Sequence, residues 1–93
     1  MNRLMVTKHV QITGRVQGVS FRAWTRERAQ ELSISGWVRN RSDGSVEALL
    51  SGTSEAVETL IAALNEGPPS AEVIDVSAAE TETEAEPGFR IRS

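Results

Sequence analysis

Residues 6–32, VTKHVQITGRVQGVSFRAWTRERAQEL, decide the fold, because the hydrophobic period changes once along them. Val6, Lys8, Val10 and Ile12 alternate with Thr7, His9, Gln11 and Thr13. That alternation puts one set of side chains on each face of a half-buried strand. From Phe21 the period lengthens to that of a helix. Phe21, Trp24, Ala29 and Leu32 share one face, while Arg26, Glu27, Gln30 and Glu31 face water. The helix should end near Leu32–Ser33, and Ser20 is its candidate N-cap. Between strand and helix lies Gly14-Arg15-Val16-Gln17-Gly18-Val19-Ser20-Phe21-Arg22. Two glycines bracket a short loop, and Arg22 sits on the first helical turn. Backbone N–H groups in a tight loop and at a helix N-terminus point outward as donors. A guanidinium adds full charge and a planar fork that matches phosphate oxygens. The segment therefore reads as an anion cradle.

Further along, a second strand is expected over Ser35–Arg41, and Asp43-Gly44 is a hairpin signal. Val46, Ala48 and Leu50 alternate in a third strand. Gly52-Thr53-Ser54-Glu55 opens a second helix, with cap candidates and an acid near the positive end of its dipole. Val57, Leu60, Ile61 and Leu64 follow helical spacing, and Gly67-Pro68-Pro69 stops the element. A fourth strand is expected over Glu72–Ala78, a solvated acidic loop over Glu80–Glu86, and a short last strand around Phe89 and Ile91. The order β-α-β-β-α-β is that of an α+β, ferredoxin-like split βαβ fold, with two helices on one face of an antiparallel sheet. In such a fold the second strand of the hairpin pair is central or lies beside the first strand. Residues 1–93 form one expected domain, with no internal repeat and no linker.

Composition narrows the function classes. Apolar residues make up 39% and charged residues 25%, the values of an ordinary globular protein. No apolar stretch approaches a membrane span, and nothing at the start reads as a signal peptide. The absence of cysteine excludes disulfides and thiolate chemistry and fits a cytoplasmic location. Residues 1–41 carry eight Lys/Arg against two Glu, whereas residues 42–93 carry two Arg against eleven Asp/Glu. The net charge of −3 argues against non-specific nucleic-acid binding, yet the basic half can still attract a small anion.

The residues that chemistry usually needs are missing. His9 has no second His and no Cys for a metal site, and reads as a half-exposed strand residue. No acidic pair is spaced for general acid and base work, and no Walker-type Gly-Lys-Ser/Thr occurs. Positional catalysis remains. A phosphate held by amides and one arginine can be attacked by an oriented water, because positioning and charge stabilisation carry most of phosphoryl transfer. Lacking an acid, such a site suits an activated substrate. An acyl phosphate leaves as a carboxylate and needs no general acid. Asn40, near the end of the second strand, has two readings. Its amide can hold a water, or it can initiate the hairpin turn, which is the commoner use of Asn. Trp24 and Trp37 read as packing residues. Trp37 alone is too little for an RNA-stacking platform, so single-stranded RNA binding is a weak alternative.

Residues 14–22 and 36–52 resemble two signatures of the acylphosphatase family. The first, G-R-V-Q-G-V-x-F-R, is met without departure. The second runs from Gly36 and Trp37 through Asn40, Gly44 and Val46 to Gly52 and is also met throughout. The resemblance implies hydrolysis of acyl phosphates to carboxylate and inorganic phosphate, without metal or cofactor and without a phosphoenzyme. It implies a small-molecule acyl phosphate as partner and inorganic phosphate as product. No long exposed apolar stripe requires a protein partner, so a monomer is expected, with no nucleic acid and no membrane, as the charge and hydropathy already indicate. Arg22 would bind the phosphate with the backbone amides of Arg15, Val16, Gln17, Gly18 and Val19, and Asn40 would orient the water. Arg15 and Gln17 are expected to act through their backbone rather than their side chains. Ser20 is expected to cap, Arg41 to be solvated, and the C-terminal carboxylate of Ser93 is a candidate for holding Arg22. A non-catalytic anion-binding module of the same fold is the alternative from another class.

Overall fold

A computed structural model describes residues 4–93. The chain runs β1 (Met5–Arg15), α1 (Phe21–Glu31), β2 (Ser35–Asn40), β3 (Val46–Thr53), α2 (Ser54–Glu66), β4 (Glu72–Glu80) and β5 (Phe89–Arg92). The strands form one sheet in the order β4-β1-β3-β2-β5. The four strands from β4 to β2 are antiparallel, with β3 in the centre beside β1, as the split βαβ reading requires. β5 adds to β2 in parallel and makes the sheet mixed. Four residues carry too weak a pattern to reveal a partner, and a parallel pairing is set by a distant neighbour rather than a local turn.

The even-numbered residues of the central strands bury one face. Val10, Ile12, Val38, Val46, Ala48 and Leu50 meet Phe21 and Ala29 of α1 and Val57, Leu60 and Leu64 of α2. The stripe expected on α2 is thus in the core, and Thr53 caps the helix by accepting the Ala56 N–H at 3.1 Å. Two details of α1 differ from expectation. Its fully buried residues are Phe21, Thr25 and Ala29, while Trp24 and Leu32 are half-buried. Ser20 occupies the N-cap position, but its side chain makes no capping bond and its backbone is left-handed, at φ 62° and ψ 24°. An N-cap normally takes an extended conformation that lets its hydroxyl fold back on the first turn. At the other end, Ser33 is also left-handed. There Ile34 N–H reaches Ala29 O at 2.8 Å and Ser33 N–H reaches Gln30 O at 3.2 Å, the paired bonds of a Schellman stop.

Backbone crowding fixes where β2 lies against β3. Gly36 has φ 140°, and a Cβ there would land on the Leu49 carbonyl oxygen. Gly36→Ala is therefore expected to cost at least about 2 kcal/mol, since both the dihedral and the contact oppose it. Urea denaturation checks this, and a loss below about 0.5 kcal/mol, typical of a surface change, contradicts it.

Candidate functional site

The register of β3 brings the two halves of the site together. Ile12 of β1 and Asn40 of β2 both lie opposite Val46. The glycine loop begins just after Ile12, so the loop and Asn40 emerge at the same end of the sheet. Gly14 lies at a register shift between β1 and β4, with φ 125°, where a side chain would strike the Glu72 carbonyl. Gly18 has φ 74° and nothing near its missing side chain. Its value is a left-handed turn with an open approach to the backbone.

At this end lies a cavity of about 180 Å³, lined by Val16, Gly18, Phe21, Arg22, Asn40 and Ile91 among others. It gathers Val16, Gly18, Arg22 and Asn40 of the expected site residues. Arg15 and Val19 line a neighbouring groove instead. Arg15 is still part of β1, opposite Glu72, and exposed. Gln17 turns away from the cavity. Its Nε2 donates to Arg41 O at 2.7 Å and to Ser45 O at 2.8 Å. The Gln17 side chain thus ties the loop to the turn that follows Asn40. Among the described residues, no protein acceptor takes the N–H groups of Gln17, Gly18 or Val19. The first turn of α1 contains no acid, so its positive end is left uncompensated. Arg22 Nη1 makes one long contact, 3.5 Å, to the carbonyl of Arg92. No ion pair between Arg22 and the chain terminus is present among the described residues, so the Arg92 backbone oxygen stands in the place expected of the Ser93 carboxylate. The cavity wall at Ile91 belongs to β5, a contribution invisible without the parallel pairing. The Asn40 Oδ1 atom is buried and has no protein partner among the described residues.

A cationic cluster backs Asn40 on the opposite face of the sheet. Glu47 is buried within β3 and accepts from Arg39 Nε at 2.6 Å and Arg41 Nη1 at 3.2 Å, and it also pairs with His9 Nε2. Arg41 is exposed, as expected, but it is also tethered. Arg39 and Arg92 also flank the Trp37 ring, at 5.5 and 4.6 Å from its centroid. Burial pushes the Glu47 carboxyl up, but hydrogen bonds from His9 and Arg39 and their charges outweigh it and hold the group below its ordinary value. In the turn, Asp43 accepts the Ser45 hydroxyl at 2.6 Å and its N–H at 2.9 Å, which lowers the Asp43 carboxyl as well. The two residues on either side of Asn40 are therefore anchored through one carboxylate.

The acylphosphatase family model matches residues 8–91. The chain belongs to the acylphosphatase family. It is 52% identical to an acylphosphatase of Acidiphilium cryptum, over 91% of this chain and 93% of that relative. Its fold matches an acylphosphatase from Coxiella burnetii with TM-score 0.91 and 41% identity, over 95% of this chain and 93% of that one. An acylphosphatase from Bacillus subtilis matches with TM-score 0.91 and 34% identity, over 97% of this chain and all of that one. At this identity and coverage the family's hydrolase activity is that of this chain. No helix among the described residues is long and apolar enough to cross a membrane.

The depressed Glu47 value sets an expected pH dependence. A carboxylate whose folded pKa is lowered stabilises the fold above its unfolded pKa, about 4.3, and loses that contribution as pH falls through the folded pKa. Glu47→Gln should cost about 1–3 kcal/mol at pH 7. The wild-type advantage should shrink progressively below about pH 4.3. Urea midpoints of both proteins at neutral and acid pH test this, and a constant gap would contradict it.

Proposed function

We propose that the small cavity holds the phosphoryl group of an acyl phosphate and that Asn40 positions the water that attacks it. The observation carrying this reading is the buried, unpartnered Asn40 Oδ1 in the same cavity as Arg22 and Gly18. A buried acceptor without a partner is costly, and a water donating to it satisfies the atom while turning a lone pair toward phosphorus. Arg22 and the free backbone N–H groups of the loop, those of Gln17, Gly18 and Val19, hold the phosphate oxygens and the charge that builds on them. Water oxygen bonds to phosphorus as the phosphorus–acyl oxygen bond breaks. The carboxylate leaves with the electron pair, and the water proton passes to a phosphate oxygen. No residue is phosphorylated. Metal and cofactor are not needed, because the carboxylate is already a good leaving group.

The same reading takes residues 1–93 as one domain and a cytoplasmic monomer that binds no nucleic acid. Coverage of 93% of the Acidiphilium relative supports the single domain, and the acidic balance supports the last point.

Two measurements test the proposal. Asn40→Ala should lower turnover of benzoyl phosphate by on the order of 10²-fold or more while phosphate, measured as a competitive inhibitor, binds almost as before. Arg22→Ala should weaken both turnover and phosphate binding. The opposite pattern would reverse the roles. Separately, wild-type turnover should be unchanged by a chelator such as EDTA after dialysis, and activity that returns only with added metal would refute the metal-free mechanism.

A further inference from the structure

The cavity accounts for the phosphoryl group but leaves the acyl group without a place. At about 180 Å³ it is smaller than the ~300–1,000 Å³ of a site for a whole small molecule. An in-line displacement decides the direction in which the remainder extends. The attacking and leaving oxygens lie on opposite sides of phosphorus. With the water at Asn40, the acyl oxygen must point away from Asn40.

A larger groove of about 710 Å³ adjoins the cavity. Gly18, Ser20 and Ala23 line both spaces, whereas Asn40 lines only the cavity. The groove runs between the start of α1 and the turn after α2, over Val19, Trp24, Pro68 and Pro69. Trp24 is half-buried, and its ring is held tilted against Phe21 with centroids 5.5 Å apart. The ring therefore presents a fixed apolar surface at little entropic cost. Arg15 and Glu27 also line the groove, so their opposite charges give it no net demand for an ionic acyl group.

We infer that this groove is the acyl subsite and that it selects uncharged acyl groups large enough to reach Trp24, aromatic ones above all. The inference rests on the hydrolytic reading of the cavity. It gives Trp24 a role in specificity, with no part in bond breaking. Contact with the acyl group is made equally before and during reaction, so its loss appears in KM rather than kcat.

Steady-state kinetics with acetyl phosphate and benzoyl phosphate test the subsite on one preparation of the full chain. The quantity read is the ratio of kcat/KM for benzoyl over acetyl phosphate, which does not depend on the fraction of enzyme folded. Trp24→Ala should lower that ratio about 5–10-fold, chiefly through KM for benzoyl phosphate, the size expected for losing part of an aromatic contact. Trp24→Phe should recover most of it. Pro69→Glu, an exposed change that puts charge into the groove, should lower the ratio in the same direction. A ratio unchanged in both Trp24→Ala and Pro69→Glu would overturn the subsite and leave the hydrolytic reading intact. Wild-type protein that turns over neither substrate would overturn that reading, and the subsite with it.

Discussion

Pairing of Val46 with both Ile12 and Asn40 is the constraint on which the site depends. β3 is the central strand and is buried from Val46 to Leu50. A one-residue slip on either side would turn a whole row of side chains to the wrong face. The slip would also move Asn40 relative to the glycine loop. Burial of the core thus pays for the alignment of two cavity-lining segments far apart in sequence. Gly36 lets β2 approach β3, and the Gln17 amide then closes the gap between loop and hairpin turn with two hydrogen bonds.

Polar groups around the site divide into those satisfied by protein and those left over. Glu47, Asp43, Gln17 and Arg41 are bonded to one another or to backbone. Asn40 Oδ1 and the N–H groups of Gln17, Gly18 and Val19 have no such partner among the described residues. The first set stiffens the frame, and the second is what an anion and its attacking water can use. Ser20 adds local strain where cavity meets groove, since a left-handed backbone is costly for a residue other than glycine.

This division also limits the chemistry. The cavity offers donors and one unpartnered amide oxygen, with no His or Cys among its lining residues. Positioning and charge stabilisation can lower a phosphoryl-transfer barrier substantially, but they do not protonate a poor leaving group. The frame is therefore matched to substrates whose leaving oxygen is already stable as an anion.

Local pattern alone determined much of this. Strand alternation over residues 6–13, helical spacing in both helices, the Asp43-Gly44 turn and the Thr53 cap all follow from short-range sterics and solvation. Arg22 and the loop were legible as a cradle because glycine placement and charge are local facts. Asn40 gained meaning only through the family signature, since one Asn near a turn is equally a turn former. Tertiary structure decided the rest. Glu47, flanked by Val46 and Ala48, reads as an outward polar residue, and only the partners it finds on β1, β2 and the turn permit its burial. Ser20 reads as an N-cap, but the loop's path forces it left-handed. The parallel docking of β5, the Gln17 tie and the groove at Trp24 each join segments distant along the chain. Period and propensity describe what a segment does with its own neighbours. Which distant groups share a wall is settled by packing, and packing is a property of the whole fold.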